Sequence, residues 1–116
     1  MKSIVLVSHG SYSPITKEEV THLLEILKAR TGVQIFELAF LEVEIPDISM
    51  GLDTCVQKGA SEVLVLLNFL NSGRHVSKDI PRIVEEARQK HPHVKFAISP
   101  PIGQHLKIAD LFVDLI

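Results

Sequence analysis

The chain contains one cysteine, no tryptophan and only 5% aromatic residues. A lone cysteine, Cys55, cannot close an intrachain disulfide, which fits a reducing, cytoplasmic setting. Without a C-x-x-C pair, neither a zinc ribbon nor a thioredoxin-type site is expected. No G-x-x-x-x-G-K-[ST] and no G-x-G-x-x-G occurs, so the usual phosphate-cradling loops are missing. The G-x-S-x-G nucleophile elbow is missing too. Neither sign of charge is in large excess: the formal net charge is −2, which argues against general nucleic-acid binding. No apolar run approaches the roughly 18 residues of a membrane span, so no membrane association is expected. The apolar run after Lys2 is too short for a signal-peptide core. There is no repeat, low-complexity tract or linker, and the 116 residues suit a single domain over 1–116.

What is present is an apolar content of 46%, enough for a real core and against disorder. Ile4 to Val7 and Val63 to Leu67 are continuous apolar runs, the mark of strands buried on both faces. Val33 to Phe40 is β-rich. Val94, Phe96 and Ile98 alternate with polar or small residues, as in a half-exposed edge strand. Between these runs lie helical patterns. Thr16-Lys17-Glu18-Glu19 has capping-box spacing, and Val20, Leu23, Leu24 and Leu27 follow on one face, with Gly32 as a stop. Pro46-Asp47 opens a second helix with Ile48, Leu52, Cys55 and Val56 inward. Asp79 reads as the N-cap of a third, with Pro81 in its first turn and Ile80, Ile83, Val84 and Ala87 as its stripe. Ile108, Leu111, Phe112 and Leu115 suggest a last helix.

The resulting order, βαβαβαβα, predicts an α/β three-layer sandwich: a four-stranded parallel sheet with helices on both faces. Right-handed crossovers, with the two all-apolar strands central, predict strand order 2-1-3-4. The winding direction then reverses between strands 1 and 3, and ligands bind beyond the carboxyl ends of the strands at such a switch point. His9 follows strand 1 and His75 lies in the loop after strand 3, so the topology aims both at one cleft.

Imidazole ligates transition metals and accepts protons near neutral pH, which makes His9 and His75 candidate metal-binding and catalytic residues. Glu42 ends strand 2 and His105 follows strand 4, where each is either a site residue or a loop residue in water. Arg74, Lys78 and Arg82 either meet anionic ligand groups or form a solvated face. Ser11 and Ser13 either bond a carboxylate or make turns. His22, His91 and His93 read as surface histidines, and Cys55 as core.

Ser8-His9-Gly10-Ser11, Ala39-Phe40-Leu41-Glu42, Gly73-Arg74-His75 with Asp79-Ile80-Pro81, and Pro101-Ile102-Gly103-Gln104-His105 stand in order after the four strands. This set resembles the short form of the CbiX-type sirohydrochlorin chelatases, which are class II chelatases. The resemblance spans almost the whole chain, and Gly-Arg-His with Asp-Ile-Pro is its most specific part. Tyr12 departs from it, because relatives commonly carry arginine there. The resemblance implies insertion of a divalent metal, cobalt, iron or nickel, into sirohydrochlorin without ATP. It also implies a homodimer equivalent to a two-lobed chelatase. His9 and His75 would be the metal-binding and catalytic pair, with Ser11, Glu42, Arg74 and His105 towards the tetrapyrrole. No cofactor beyond the substrate metal ion is implied.

Overall fold

The computed structural model describes the whole chain except the side chain of His75. Four strands, β1 (Lys2–Ser8), β2 (Ile35–Phe40), β3 (Glu62–Leu67) and β4 (Lys95–Ile98), form one parallel sheet in the order β2-β1-β3-β4. Helices α1 (Pro14–Thr31), α2 (Ile48–Gln57), α3 (Ile80–Lys90) and α4 (Ile108–Leu115) alternate with them. The strand order, the parallel sense and the central position of the two apolar runs are as expected.

Period-2 geometry sends alternate residues of β1 and β3 to opposite faces. Val5, Val7, Val63, Val65 and Leu67 face α2 and α3, where they meet Ile48, Leu52, Cys55, Ile80 and Val84 in the larger core cluster. Ile4, Leu6 and Phe36 face α1 and pack with Val20 and Leu24. Cys55 is fully buried, and burial pushes its thiol up to about 11, so it is a packing group and not a nucleophile.

Two helix starts differ from the sequence reading. Helix α1 begins at Pro14 with Ser13 at the N-cap, ahead of the capping-box residues, because proline is preorganised for the first helical position. Asp79 is not an N-cap: its backbone is already helical, and one π-helical turn, His75–Asp79, runs into α3. Pro81 has no N–H to donate back into that turn, so the regular helical ladder is one bond short where the π turn meets α3. The stripe of α4 forms a helix as expected but reaches no core. Leu111 and Phe112 are each 57% exposed and Leu115 is 86% exposed.

Away from the sheet end, Asp53 of α2 ties down the end of α3. Its carboxylate accepts from Lys90 Nζ at 2.9 Å and pairs with His91 Nε2 at 3.0 Å. Burial pushes this carboxyl up, but the hydrogen bonds from Lys90 and His91 outweigh it and hold it below the usual range. A lowered folded value stabilises above the unfolded value of about 3.9, and that contribution is lost as pH falls through the folded value. Asp53→Asn should therefore cost about 1 kcal/mol at pH 7. In thermal melts its gap from the parent chain should close as the solution is acidified.

Candidate active site

The β1–β2 ladder does not stop where the strands do. Leu41 N–H donates to Ser8 O at 2.9 Å, and Glu42 N–H donates to His9 O at 3.1 Å. These two extra bonds set His9 and Glu42 side by side above the sheet. Their side chains meet there: His9 Nε2 lies 2.8 Å from Glu42 Oε1. Both remain half exposed, at 54% and 52%. The Phe69 ring stands edge-on to the imidazole, with centroids 6.3 Å apart.

Gly10 makes this approach possible. Its φ is +103°, and a Cβ there would sit 1.9 Å from the carbonyl oxygen of Glu42. Only glycine combines that conformation with that contact. On the other side, Glu44 N–H donates back to Glu42 O at 2.8 Å across Val43, whose φ is +71°. This is a tight three-residue turn of the rarer, strained hand, and a β-branched residue is unfavourable in it. Strain of this kind clusters at sites where a side chain must be aimed. Ser11 N–H donates to Glu44 Oε2 at 3.2 Å, and Ser11 Oγ accepts from Ser13 N–H at 3.0 Å. Ser11 thus builds the turn that its type favours, and its hydroxyl hydrogen is still available to donate.

The other strand ends are laced in. Asn68 N–H donates to Val7 O at 2.9 Å, and Asn68 Nδ2 donates to Ser8 Oγ at 3.0 Å, holding the residue before His9. Gly103 N–H donates to Phe69 O at 3.0 Å, and a Cβ on Gly103 would collide with Leu70 O at 1.8 Å. Gln104 also donates to Ser72 Oγ. The loops after β3 and β4 are therefore in backbone contact.

The remaining candidates are placed as follows. Arg74 is exposed just ahead of the π turn, and its carbonyl accepts from Ser77 Oγ at 3.4 Å. His75 heads that turn, but its side chain lies outside the described residues, and with it the expected meeting with His9. His105 Nδ1 accepts from Lys107 N–H at 3.0 Å. It lines a groove of about 650 Å³ with Leu6, Leu27, Leu66 and Asn68. His22 is exposed on α1, as expected, but lines a hollow that also includes Ser11, Tyr12 and Glu44. Among the described residues, no three His, Cys, Asp or Glu side chains form a metal-binding group.

Asn68, Val43 and Glu44 were not singled out from the sequence. A polar Asn68 directly after an all-apolar strand beside the switch point was a usable signal. Val43 carries none, because its conformation is imposed by the contacts around it.

An imidazole nitrogen and a carboxylate oxygen at hydrogen-bond distance, half open to solvent, have two chemical uses. They can share a first-row divalent ion, or they can accept and hold a proton. A model of the CbiX family matches residues 3–116. A sirohydrochlorin cobaltochelatase of Priestia megaterium is 40% identical over 90% of this chain and 34% of its own length. A sirohydrochlorin cobaltochelatase of Sulfolobus acidocaldarius is 31% identical over 98% of this chain and 89% of its own length. The crystal structure of the sirohydrochlorin chelatase SirB from Bacillus subtilis, in complex with cobalt, superposes with a TM-score of 0.89 at 28% identity, covering 97% of this chain and 48% of that one. The chain spans about a third to a half of the length of several curated relatives it matches. With the family pattern running from Ser3 to Ile116, this chain belongs to the CbiX family.

Proposed function

We propose that this chain is a cytoplasmic sirohydrochlorin chelatase, inserting a divalent cobalt, iron or nickel ion into the tetrapyrrole without ATP. The observation that carries this reading is the His9–Glu42 pair, fixed by backbone hydrogen bonds at the open carboxyl end of the sheet. Metallation must strip water from the ion, deliver it to the four ring nitrogens and remove two pyrrole protons. Imidazole and carboxylate can replace water on the ion. As the ring nitrogens take the ion over, each freed donor is a base within reach of a pyrrole proton. His75, at the head of the π turn after β3, is the second imidazole of this scheme. Acid should slow insertion, because a protonated imidazole neither ligates nor accepts.

The tetrapyrrole's carboxylates require cationic and hydroxyl partners around the cleft. Arg74, Ser11 and His105 stand on three different strand-end loops and fill that role. Arg74→Ala should raise KM about tenfold with kcat little changed, since it holds groups remote from the reacting nitrogens. An unchanged KM with a collapsed kcat would move Arg74 into the chemistry. One chain supplies only part of a wall for so large a ligand, and a second copy completes it.

The deciding assay mixes purified protein with sirohydrochlorin and each metal in turn and follows the absorption spectrum. Many turnovers per chain support the chelatase. A spectral change that saturates at one equivalent identifies a metal or tetrapyrrole carrier instead. Hydrolysis of a test ester dependent on metal, without insertion, identifies a metal-assisted hydrolase.

A further inference from the structure

The loop after β3 grips His9 twice, through two successive residues. In the β1–β3 register Leu6 lies beside Leu66 and Val7 beside Leu67. The bond from Asn68 N–H to Val7 O, at 2.9 Å, carries that ladder one step further. Continuing the register sets Ser8 beside Asn68 and His9 beside Phe69. Both pairs touch. Asn68 Nδ2 donates to Ser8 Oγ at 3.0 Å. The His9 and Phe69 ring centroids are 6.3 Å apart, with the ring planes at 75°. Period-2 alternation puts the two pairs on opposite faces of the sheet. Ser8 and Asn68 follow Leu6 and Leu66 to the α1 side, and His9 and Phe69 follow Val7 and Leu67 to the α2 and α3 side.

Each grip has a firm base. Ser8 is 5% exposed, so its hydroxyl has little water to bond and depends on Asn68. Phe69 packs against the larger core cluster, and its carbonyl accepts from Gly103 N–H at 3.0 Å. The ring cannot swing away from the imidazole without losing core contacts. The Glu42 bond fixes where Nε2 of His9 lies but leaves the ring plane free to tilt about that point. An edge-to-face aromatic contact fixes the plane.

We propose that Asn68 and Phe69 are positioning residues for His9. Asn68 holds the backbone leading into His9 through the Ser8 side chain, and Phe69 sets the plane of the imidazole. Together they keep Nε2 on the Glu42 carboxylate. A carboxylate only accepts, so Nε2 carries the proton in that bond, and the neutral ring is held in one tautomer. Losing a group that orients a metal ligand typically costs about 10–100-fold in metal affinity or activity. That His9 binds metal rests on the reading proposed above; its positioning does not.

The test uses Asn68→Ala, Ser8→Ala, Phe69→Leu and Phe69→Tyr in the full chain without metal. The imidazole nitrogen resonances of His9, assigned by their loss in His9→Ala, report the tautomer directly. The parent chain should show the Nε2–H form. Asn68→Ala, Ser8→Ala and Phe69→Leu should each raise the Nδ1–H form, and Phe69→Tyr, which keeps the ring, should restore the parental signal. Asn68→Ala combined with Ser8→Ala should go no further than either alone, because both delete one contact. A Phe69→Leu chain that melts lower with His9 signals unchanged shows a packing residue only and overturns the proposal. Cobalt(II) titration is the second readout. Phe69→Leu should weaken binding about 10–100-fold in the parent chain and not at all on a His9→Ala background. An equal loss on both backgrounds shows that Phe69 acts elsewhere and overturns the proposal. Cobalt binding that His9→Ala leaves intact overturns the metal reading of His9, while the nitrogen resonances still decide its positioning.

Discussion

His9→Ala is expected to lower the rate of metal insertion at saturating substrate by about 10²–10⁴-fold, the usual worth of a general base, with a lost ligand adding to it. The loss should fall on kcat as well as on metal affinity, because on the proposed reading the imidazole acts where charge changes in the reaction. Glu42→Gln should fall in the same range, since it keeps the shape of the side chain but removes the anionic oxygen 2.8 Å from His9 Nε2. The double variant should cost little more than either single, as for two groups that work as a unit. Thermal stability should barely move, because both side chains are half exposed and outside the core. His93→Ala is the control: it is exposed in the turn before β4, at the opposite end of the sheet. It is a cleaner control than His22, whose hollow reaches Ser11 and Glu44. Near-parental turnover in His9→Ala would remove the site from this position.

Gly10→Ala should be nearly as damaging, although it deletes nothing. The added methyl group would sit 1.9 Å from Glu42 O, and the φ of +103° is one an alanine rarely adopts. The chain can relieve this only by opening the His9–Glu42 ladder rung. Positioning errors of about 1 Å can cost about 10²-fold in rate. An activity loss of that order is expected, with metal binding weakened and the β-sheet signal in circular dichroism retained. Full activity in Gly10→Ala would show that the backbone approach does not hold the pair.

The sheet was legible because its signals are local and strong. The runs Ile4 to Val7 and Val63 to Leu67 allow only buried central strands, and handedness then leaves one order. The pairing of strand ends followed from that order, which is why His9 and Glu42 could be placed on neighbouring loops. Their direct contact could not be read. It depends on two backbone hydrogen bonds beyond the strands and on a turn at Val43, and no side-chain pattern encodes either. The start of α3 was misread for a related reason. Asp79 has the chemistry of a cap, but the turn before it had already entered the helix. The stripe on α4 was read correctly as a helix, but its exposure could not be read from it. Periodicity reports that a face is apolar, not what covers it.

The two ladder rungs past β1 and β2 bear on how relatives of one fold come to handle different metals. Backbone bonds from Leu41 and Glu42 to the carbonyls of Ser8 and His9 hold the proposed imidazole and carboxylate donors side by side, so substitutions far from these rungs can do little to tune their spacing. First-row divalent ions differ modestly in size, and a fixed nitrogen–oxygen pair accepts several of them. Divergence between cobalt and iron must then arise in the donors carried by the longer loops, or in the supply of ions outside the protein. On the proposed reading the fixed part of the site is its bite, and metal preference is set around it.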